Sequence, residues 1–189
     1  MALKLKVIIG STRPGRVGPA FGEWIHEFAG QHGKFDVELV DLGALDLPVM
    51  DEPNHPRAQD YQHEHTKAWA KIVDDADAFI FVTPEYDYFP PSSLVNAIQY
   101  LALEWYGKPA AVLSYGFVSG GLRAAETLRT LLAALNVAPI AQGIPVPFYP
   151  QFLGEDGKVN ANDQMQEGAT GVLNELHKWG TALKTMREA

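Results

Sequence analysis

The chain has 189 residues, of which 47% are hydrophobic and 20% charged, a composition typical of a soluble globular protein. This length suits one well-cored domain, so we predict a single domain over residues 1–189. The net charge of −8 and the lack of a long basic run argue against nucleic acid as the main partner. The sequence has no cysteine, which excludes disulfides and cysteine-ligated metal sites.

The hydrophobic runs are all short. None approaches the ~18 residues of a membrane-spanning helix, and residues 1–10 are interrupted too soon for a signal peptide. We therefore expect a cytoplasmic protein without a membrane partner.

The first third of the chain predicts two strands and a helix. Residues 3–10 begin with polar–apolar alternation and end in a buried apolar run, which predicts a strand. Apolar residues recur at helical spacing over 16–33, and Gly33 is a plausible helix stop. Residues 35–42 alternate strictly, which predicts a strand buried on one face and near a sheet edge.

Residues 43–64 hold three prolines, several charges and few apolar residues, which predicts a long loop of functional or mobile character. The histidines in and next to this segment, His55, His63 and His65, favour a solvated or substrate-gating loop over a metal site, because no clear carboxylate frame accompanies them. Arg57 is a candidate contact for a nicotinamide nucleotide phosphate.

The rest of the chain alternates helices and strands. Further strands are predicted over 77–83, 108–116 and 137–143, and further helices after the loop, from Ser92, over 119–135 and over 162–186. The uninterrupted apolar run over 77–83 is typical of a central strand covered on both faces. Hydroxyl side chains at Ser92 or Ser93 and at Ser119 are predicted to cap the helices that follow them.

Strands separated by helix-length segments predict parallel pairing with right-handed crossovers. The fold class is therefore α/β: a flavodoxin-like three-layer sandwich with a five-stranded parallel sheet of order 2-1-3-4-5 and helices on both faces. Ligands of such sheets bind beyond the carboxyl ends of the strands, at the switch point between strands 1 and 3. Three loops are predicted to meet there.

The first loop, GSTRPGRVG over 10–18, lacks both the dinucleotide fingerprint and the Walker A pattern. It offers two hydroxyls, two arginines, glycines and a helix N-terminus, which together favour a phosphate. The alternative is a polar turn with surface arginines.

The second loop, within 83–101, holds three aromatic residues, Tyr86, Tyr88 and Phe89. They can stack against a planar ligand; alternatively they cover the sheet end or meet a partner subunit. Glu85 and Asp87 are more plausible as backbone or solvent contacts than as an acid/base pair, since no second group of matched role is present.

The third loop, SYGFVSGG over 114–121, precedes a helix N-terminus. Exposed N–H groups there suit a ring edge that gains negative charge on reduction. The alternative is an ordinary glycine-rich connection.

Together the three loops resemble the NADPH-dependent FMN reductase family, a flavodoxin-like group that includes quinone, azo-dye and chromate reductases. The family pattern is a G-S-x-R loop, a P-E-Y-N stretch leading into a helix, and an S-x-G-x-x-G-G loop. The matching residues are Gly10 to Arg13, Pro84 to Asp87, Pro91, Leu94, Asn96, Ala97, Ile98, Ser114, Gly116, Gly120 and Gly121. The resemblance covers about residues 3–145.

This resemblance implies bound FMN, with NADPH or NADH as hydride donor and a second acceptor such as a quinone, free flavin, azo compound or metal oxyanion. The first loop would hold the FMN phosphate, and the second and third loops would flank the flavin ring. The implied cofactor-binding residues are Ser11, Thr12, Arg13, Arg16, Val17, Gly18, Pro84, Glu85, Tyr86, Asp87, Tyr88, Ser114, Tyr115, Gly116, Ser119 and Gly120. Because the flavin performs the chemistry, no catalytic side chain is predicted.

The resemblance also implies a homodimer or homotetramer. Asp87 departs from the pattern, standing where asparagine is usual. A second functional hypothesis is a non-catalytic flavin-binding redox sensor or electron carrier that acts through a protein partner. The long 43–64 loop favours the reductase, because a dedicated carrier tends to lack a loop that accepts nicotinamide.

Overall fold

The computed structural model, which describes residues 2–188, contains one five-stranded parallel sheet of order β2-β1-β3-β4-β5. The strands are β1 Leu3–Ile9, β2 Phe35–Asp41, β3 Ala78–Pro84, β4 Pro109–Tyr115 and β5 Ala138–Val146. The helices are α1 Gly18–His32, α2 Leu42–Leu45, α3 Glu64–Asp74, α4 Ser92–Gln99, α5 Leu122–Ala134 and α6 Asp163–Arg187. This order confirms the predicted flavodoxin-like fold class.

Two hydrophobic clusters cover the two faces of the sheet. Successive residues of one strand belong to different clusters, as Val7 and Ile8 of β1 do, because side chains alternate between the faces. Helices α1 and α6 pack on the first face, and α3, α4 and α5 pack on the second. β3 is buried along its whole length, as the apolar run predicted, and β2 forms one edge.

The predicted helix caps were wrong. The N-cap of α4 is Pro91, and the Ser93 hydroxyl donates instead to the carbonyl of Gly10, 2.7 Å away. The N-cap of α5 is Gly121 rather than Ser119, so this helix begins three residues later than predicted. In both cases the hydroxyl stabilises a loop at the carboxyl edge of the sheet.

The segment 43–64 is packed rather than loose. Leu45, Leu47, Met50 and Tyr61 lie against the core of the second face. The Asn96 side chain accepts the Met50 N–H at 2.9 Å. The segment therefore covers helix α4; that it is functional or mobile, and that it accepts nicotinamide, stay predictions.

Arg57, His63 and His65 are the polar residues singled out in and next to this segment. Arg57 is exposed. Two residues later, the side-chain amide of Gln59 donates to Glu104 at 2.9 Å, which places this part of the segment beside the short turn Leu103–Trp105. The rings of His63 and His65 stack 5.2 Å apart, and His65 Nε2 lies 3.0 Å from Asp51. Among residues 2–188, no three potential ligand side chains converge on a point where a metal ion would bind.

A bilayer crossing requires a long apolar helix, and the part of the chain described here, residues 2–188, contains none that qualifies.

Candidate active site

A cavity of about 600 Å³ lies beyond the carboxyl ends of β1, β3 and β4, within the size range of small-molecule and cofactor sites. It lies at the switch point of the sheet, where ligands of such folds bind. Its walls come from all three predicted loops and from a fourth segment after β5. The lining residues are Arg13, Gly15, Arg16, Val17, Pro84, Glu85, Tyr86, Tyr115, Gly116, Phe117, Val118, Ser119, Arg123 and Tyr149.

The first loop presents its backbone to this cavity. Within residues 2–188, segment 10–18 donates only two backbone hydrogen bonds to the backbone, from Gly10 N–H to Val82 and from Arg16 N–H to Arg13. Gly15 has φ +73°, and a Cβ built on it would meet nothing within 4 Å. The remaining N–H groups, just before the N-terminus of α1, are available to an anion.

The two arginines of this loop differ in their partners. Arg16 donates to both carboxylate oxygens of Asp41, at 2.6 and 2.7 Å, and to the carbonyl of Ser11. The hydrogen bonds to Asp41 raise the pKa of Arg16 above its ordinary value. Arg13 is exposed, makes no ion pair within residues 2–188, and lies 5.3 Å from the centroid of the Tyr86 ring. Arg13 is thus the loop cation that can neutralise an incoming anion.

Ser11 and Gly18 form the buried support of the loop. The Tyr115 hydroxyl donates to Ser11 Oγ at 3.4 Å, and burial raises the pKa of Tyr115. A Cβ on Gly18 would approach Ser11 Oγ to 2.3 Å, so glycine is required for α1 to start this close to the sheet. Thr12 points to a separate, smaller cavity of about 220 Å³ beside Asp46 and Ser93.

The second loop makes a tight turn over residues 86–89. The N–H of Tyr86 and the carbonyl of Phe89, and the reverse pair, are both hydrogen-bonded at 2.9 Å. The two central residues, Asp87 and Tyr88, have φ +48° and +74°. Asparagine and aspartate tolerate this left-handed conformation better than other residues with side chains. Asp87 therefore meets the same backbone requirement as the asparagine of the family pattern.

Glu85 joins the second loop to α5. One carboxylate oxygen accepts the backbone N–H of Arg123 at 3.0 Å, and the other accepts its guanidinium at 2.9 Å. Burial raises the pKa of Glu85, but hydrogen bonds from Ser119, from the Arg123 side chain and from the α5 backbone outweigh burial and hold the pKa below its usual range. Glu85 is therefore ionised at neutral pH and serves the helix N-terminus.

The third loop is held close to the sheet by its hydroxyls and glycines. Ser114 Oγ donates to the carbonyl of Gly120 at 2.9 Å, and Ser119 Oγ accepts the Gly121 N–H at 3.2 Å. Gly121 has φ +80°, and a Cβ there would lie 2.7 Å from the Tyr115 nitrogen. The loop can therefore turn sharply while exposing Phe117 and Val118 above the cavity.

Sequence reasoning had not singled out five lining residues: Gly15, Phe117, Val118, Arg123 and Tyr149. Tyr149 follows β5 and packs edge-on against Tyr115, with ring centroids 5.5 Å apart. The signal was available, because Tyr149 follows the carboxyl end of a predicted strand just as the three loops do. Asp87 and Tyr88 lie at the tip of their turn, outside the lining.

Comparison with known proteins decides the family. The model of the family described as NADPH-dependent FMN reductase matches residues 3–150. The chain belongs to this FMN reductase family. Its members are oxidoreductases with FMN as cofactor and NAD(P)H as hydride donor, which confirms the predicted enzyme class and cofactors.

Individual relatives agree with this assignment. The reductase is 38% identical to an NAD(P)H-dependent FMN reductase of Schizosaccharomyces pombe over 147 residues, 76% of this chain and 74% of that protein. It is 30% identical to a 2-hydroxy-1,4-benzoquinone reductase of a Burkholderia species over 151 residues, 75% and 76% of the two chains. The flavoenzyme FerB of Paracoccus denitrificans has the same fold, with a TM-score of 0.75 at 22% identity over 96% of this chain and 98% of that one.

The residues of this FMN reductase fit the cofactor. The unpaired N–H groups of the first loop and the exposed Arg13 suit a doubly charged phosphate. The backbone of Pro84 to Tyr86 and of Tyr115 to Ser119 lines the cavity on its other sides. Arg16, already bound to Asp41, orders the loop through the Ser11 carbonyl.

Proposed function

We propose that this FMN reductase oxidises NADPH or NADH and reduces a quinone in the cavity of about 600 Å³. The observation that carries the proposal is the cavity itself, which combines an anion-binding backbone with aromatic walls. FMN, when bound, accepts the hydride and donates electrons to the second substrate.

The FMN-binding residues follow from the three loops. We assign the phosphate to Arg13 and to the backbone N–H groups of 11–18 apart from Pro14, which has none, and Arg16, whose N–H donates to Arg13. Ser11 and Gly18 are the buried support. We assign the two sides of the ring to the segments Pro84 to Tyr86 and Tyr115 to Ser119, which line the cavity. Asp87, Tyr88, Ser114 and Gly120 stay predicted contacts. Thr12 and Arg16 remain predicted ligands, although Arg16 is better supported as an organiser of the loop.

The walls of the cavity include aromatic rings, which supports a planar acceptor. Tyr86, Phe117 and Tyr149 line the cavity, and the rings of Phe117 and Tyr149 lie 5.7 Å apart. Aromatic faces bind a quinone ring by stacking and by burial of apolar surface. The names of the relatives, which include quinone reductases, support the same acceptor class.

Protons for the reduced acceptor come from water in this proposal. Glu85 is the carboxylate among the lining residues, and its lowered pKa leaves it ionised at neutral pH. It is also bound to Arg123 and to α5, so it does not transfer protons. The chain therefore contributes binding and orientation rather than acid–base catalysis.

We further propose that the whole chain is one flavin-binding domain that acts in the cytoplasm as a homodimer or homotetramer. Exposed apolar side chains beside the cavity, Phe89, Phe117, Val118 and Phe148, support an interface near the site. Light scattering of the purified protein tests this, and a monomer would contradict it.

Steady-state kinetics test the proposed activity. NADPH consumption by the FMN-loaded protein should require a quinone and should saturate with it. Reduction of free flavin, azo dyes and chromate in the same assay ranks the acceptors, and a quinone rate no higher than the rate without acceptor would refute the proposal.

A further inference from the structure

Arg123, in the first turn of α5, contacts the second loop across the rim of the cavity. Its guanidinium lies 4.3 Å from the centroid of the Tyr88 ring. The same group is tied to Glu85 at 2.9 Å, and Glu85 also accepts the Arg123 backbone N–H. One arginine therefore bridges the helix that follows the third loop and the turn of residues 86–89.

The turn needs such a contact because its backbone is strained. The second central position of a turn with two left-handed residues favours glycine, yet here it is Tyr88 with φ +74°. The Tyr88 side chain is 61% exposed, so core packing does not hold it in place. The cation–π contact between Arg123 and the Tyr88 ring stabilises this conformation.

The other end of the turn has a similar contact. Arg13 lies 5.3 Å from the centroid of the Tyr86 ring. Arg13 belongs to the anion-binding loop, whereas the Arg123 charge is balanced by Glu85. The turn thus lies between the first loop and α5. Arg13 contacts its first residue, Tyr86, and Arg123 contacts Tyr88 at its tip.

We propose that Arg123 is a positioning residue that fixes the Asp87–Tyr88 turn at the rim of the cavity and thereby sets the opening for a planar acceptor. The identity of the acceptor rests on the proposed function; the positioning of the turn does not. Glu85 directs Arg123 toward Tyr88 by occupying one side of its guanidinium.

The test combines hydrogen exchange with kinetics on the FMN-loaded protein. Arg123→Met removes the guanidinium but keeps the backbone N–H that Glu85 accepts, so α5 retains its N-terminal bond. We expect exchange of the Tyr86 and Phe89 amides to rise roughly two- to fivefold, the factor that an exposed cation–π contact corresponds to. The KM for neutral 1,4-benzoquinone should rise by a similar factor, with kcat little changed.

Three further variants separate positioning from other effects. Arg123→Lys keeps a cation and should lie between the wild type and Arg123→Met in both measurements. Tyr88→Gly suits the left-handed backbone, so the two amides should stay protected whether residue 123 is Arg or Met. Lys178→Met removes an exposed cation from α6 and should match the wild type.

Amide exchange in Arg123→Met decides whether the proposal holds. Wild-type exchange at the two amides in Arg123→Met would overturn the proposal; if KM rises all the same, Arg123 binds the acceptor directly. Faster exchange in Arg123→Met that Tyr88→Gly suppresses would support it. Should the wild type fail to reduce any quinone while Arg123→Met still loosens the turn, the proposed acceptor is wrong and the positioning role stands.

Discussion

The carboxyl and amino ends of the strands, here called the carboxyl edge and the amino edge of the sheet, have cavities of nearly equal volume and opposite character. The cavity at the carboxyl edge measures about 600 Å³ and the one at the amino edge about 620 Å³. At the amino edge Asp77 binds both Lys184 and Arg187, and Lys4 and Lys6 bind Asp75. At the carboxyl edge Arg13 makes no ion pair within residues 2–188, and Asp87 and Tyr88 have strained backbones.

This difference indicates that the amino edge contributes to stability and the carboxyl edge to ligand binding. Charges at the amino edge satisfy one another and fix the end of α6 to the start of β3. The carboxyl edge leaves backbone N–H groups, a cation and aromatic faces available to ligands, at a cost in stability. Cavity volume alone does not distinguish the two edges; the pairing of their polar groups does.

The largest expected effect is at the amino edge. Asp77 is buried and accepts the Lys4 N–H as well as the Lys184 and Arg187 side chains, so Asp77→Ala leaves three donors without this partner. We expect a loss of roughly 3 kcal/mol in the free energy of unfolding. Urea denaturation measures it, with Asp77→Asn, which keeps an acceptor, as the milder control. Changed quinone kinetics in the folded variant would contradict the separation of the two edges.

A pH dependence at the same edge comes next. Burial lowers the pKa of Lys108 to about 8, although its ammonium donates to the carbonyls of Val73 and Asp74. Between about pH 8 and the ordinary lysine value of ~10.4, the unfolded chain binds more protons at this site than the folded one, so stability should rise with pH by about 1.4 kcal/mol per unit.

Melting curves at several pH values for the wild type and for Lys108→Met isolate this contribution. The difference in unfolding free energy between them should move in favour of the wild type as pH rises through this window. If the difference in unfolding free energy stays constant from pH 8 to 10, the pKa of Lys108 is not lowered in the folded protein.

At the carboxyl edge the main prediction concerns ligand affinity. Arg13→Ala should weaken FMN binding by roughly 30-fold, the effect of losing one charge-assisted phosphate contact of about 2 kcal/mol. Because Arg13 is exposed, the melting temperature without FMN should change little. Fluorescence titration with FMN measures the affinity, and riboflavin, which lacks the phosphate, should bind both proteins equally. Unchanged FMN affinity would refute the phosphate assignment.

The smallest expected effect concerns the strained turn. Asp87→Asn should be nearly neutral, because asparagine also adopts φ near +48°, whereas Asp87→Ala should lose about 1 kcal/mol of stability. Thermal denaturation of the matched pair measures the difference. Equal stability of the two variants would show that the backbone conformation does not select the residue at this position.

The sequence predicted the features that depend on local pattern. The five strands and their order follow from the alternation of apolar runs with helical spacing, and the carboxyl-edge rule then located the three loops. Sequence reasoning did not foresee side chains that pair across long separations. Nothing in the first loop reveals that Arg16 pairs with Asp41, 25 residues away, and its role as a phosphate ligand stays a prediction.

The same limit applies to other long-range contacts. Glu85 and Arg123 are separated by 38 residues and meet because the crossover from β3 to β4 returns the chain to the same edge. The segment 43–64 looked loose because its few apolar residues, Leu45, Leu47, Met50 and Tyr61, follow no helix or strand period, yet they pack on the core.

The most direct test of the account is an anaerobic titration of the FMN-loaded protein with NADPH, followed by addition of 1,4-benzoquinone, with the visible flavin absorbance recorded throughout. We expect NADPH to bleach the absorbance and the quinone to restore it. A bound flavin whose absorbance neither NADPH nor NADH can bleach would contradict the proposed function of the cavity.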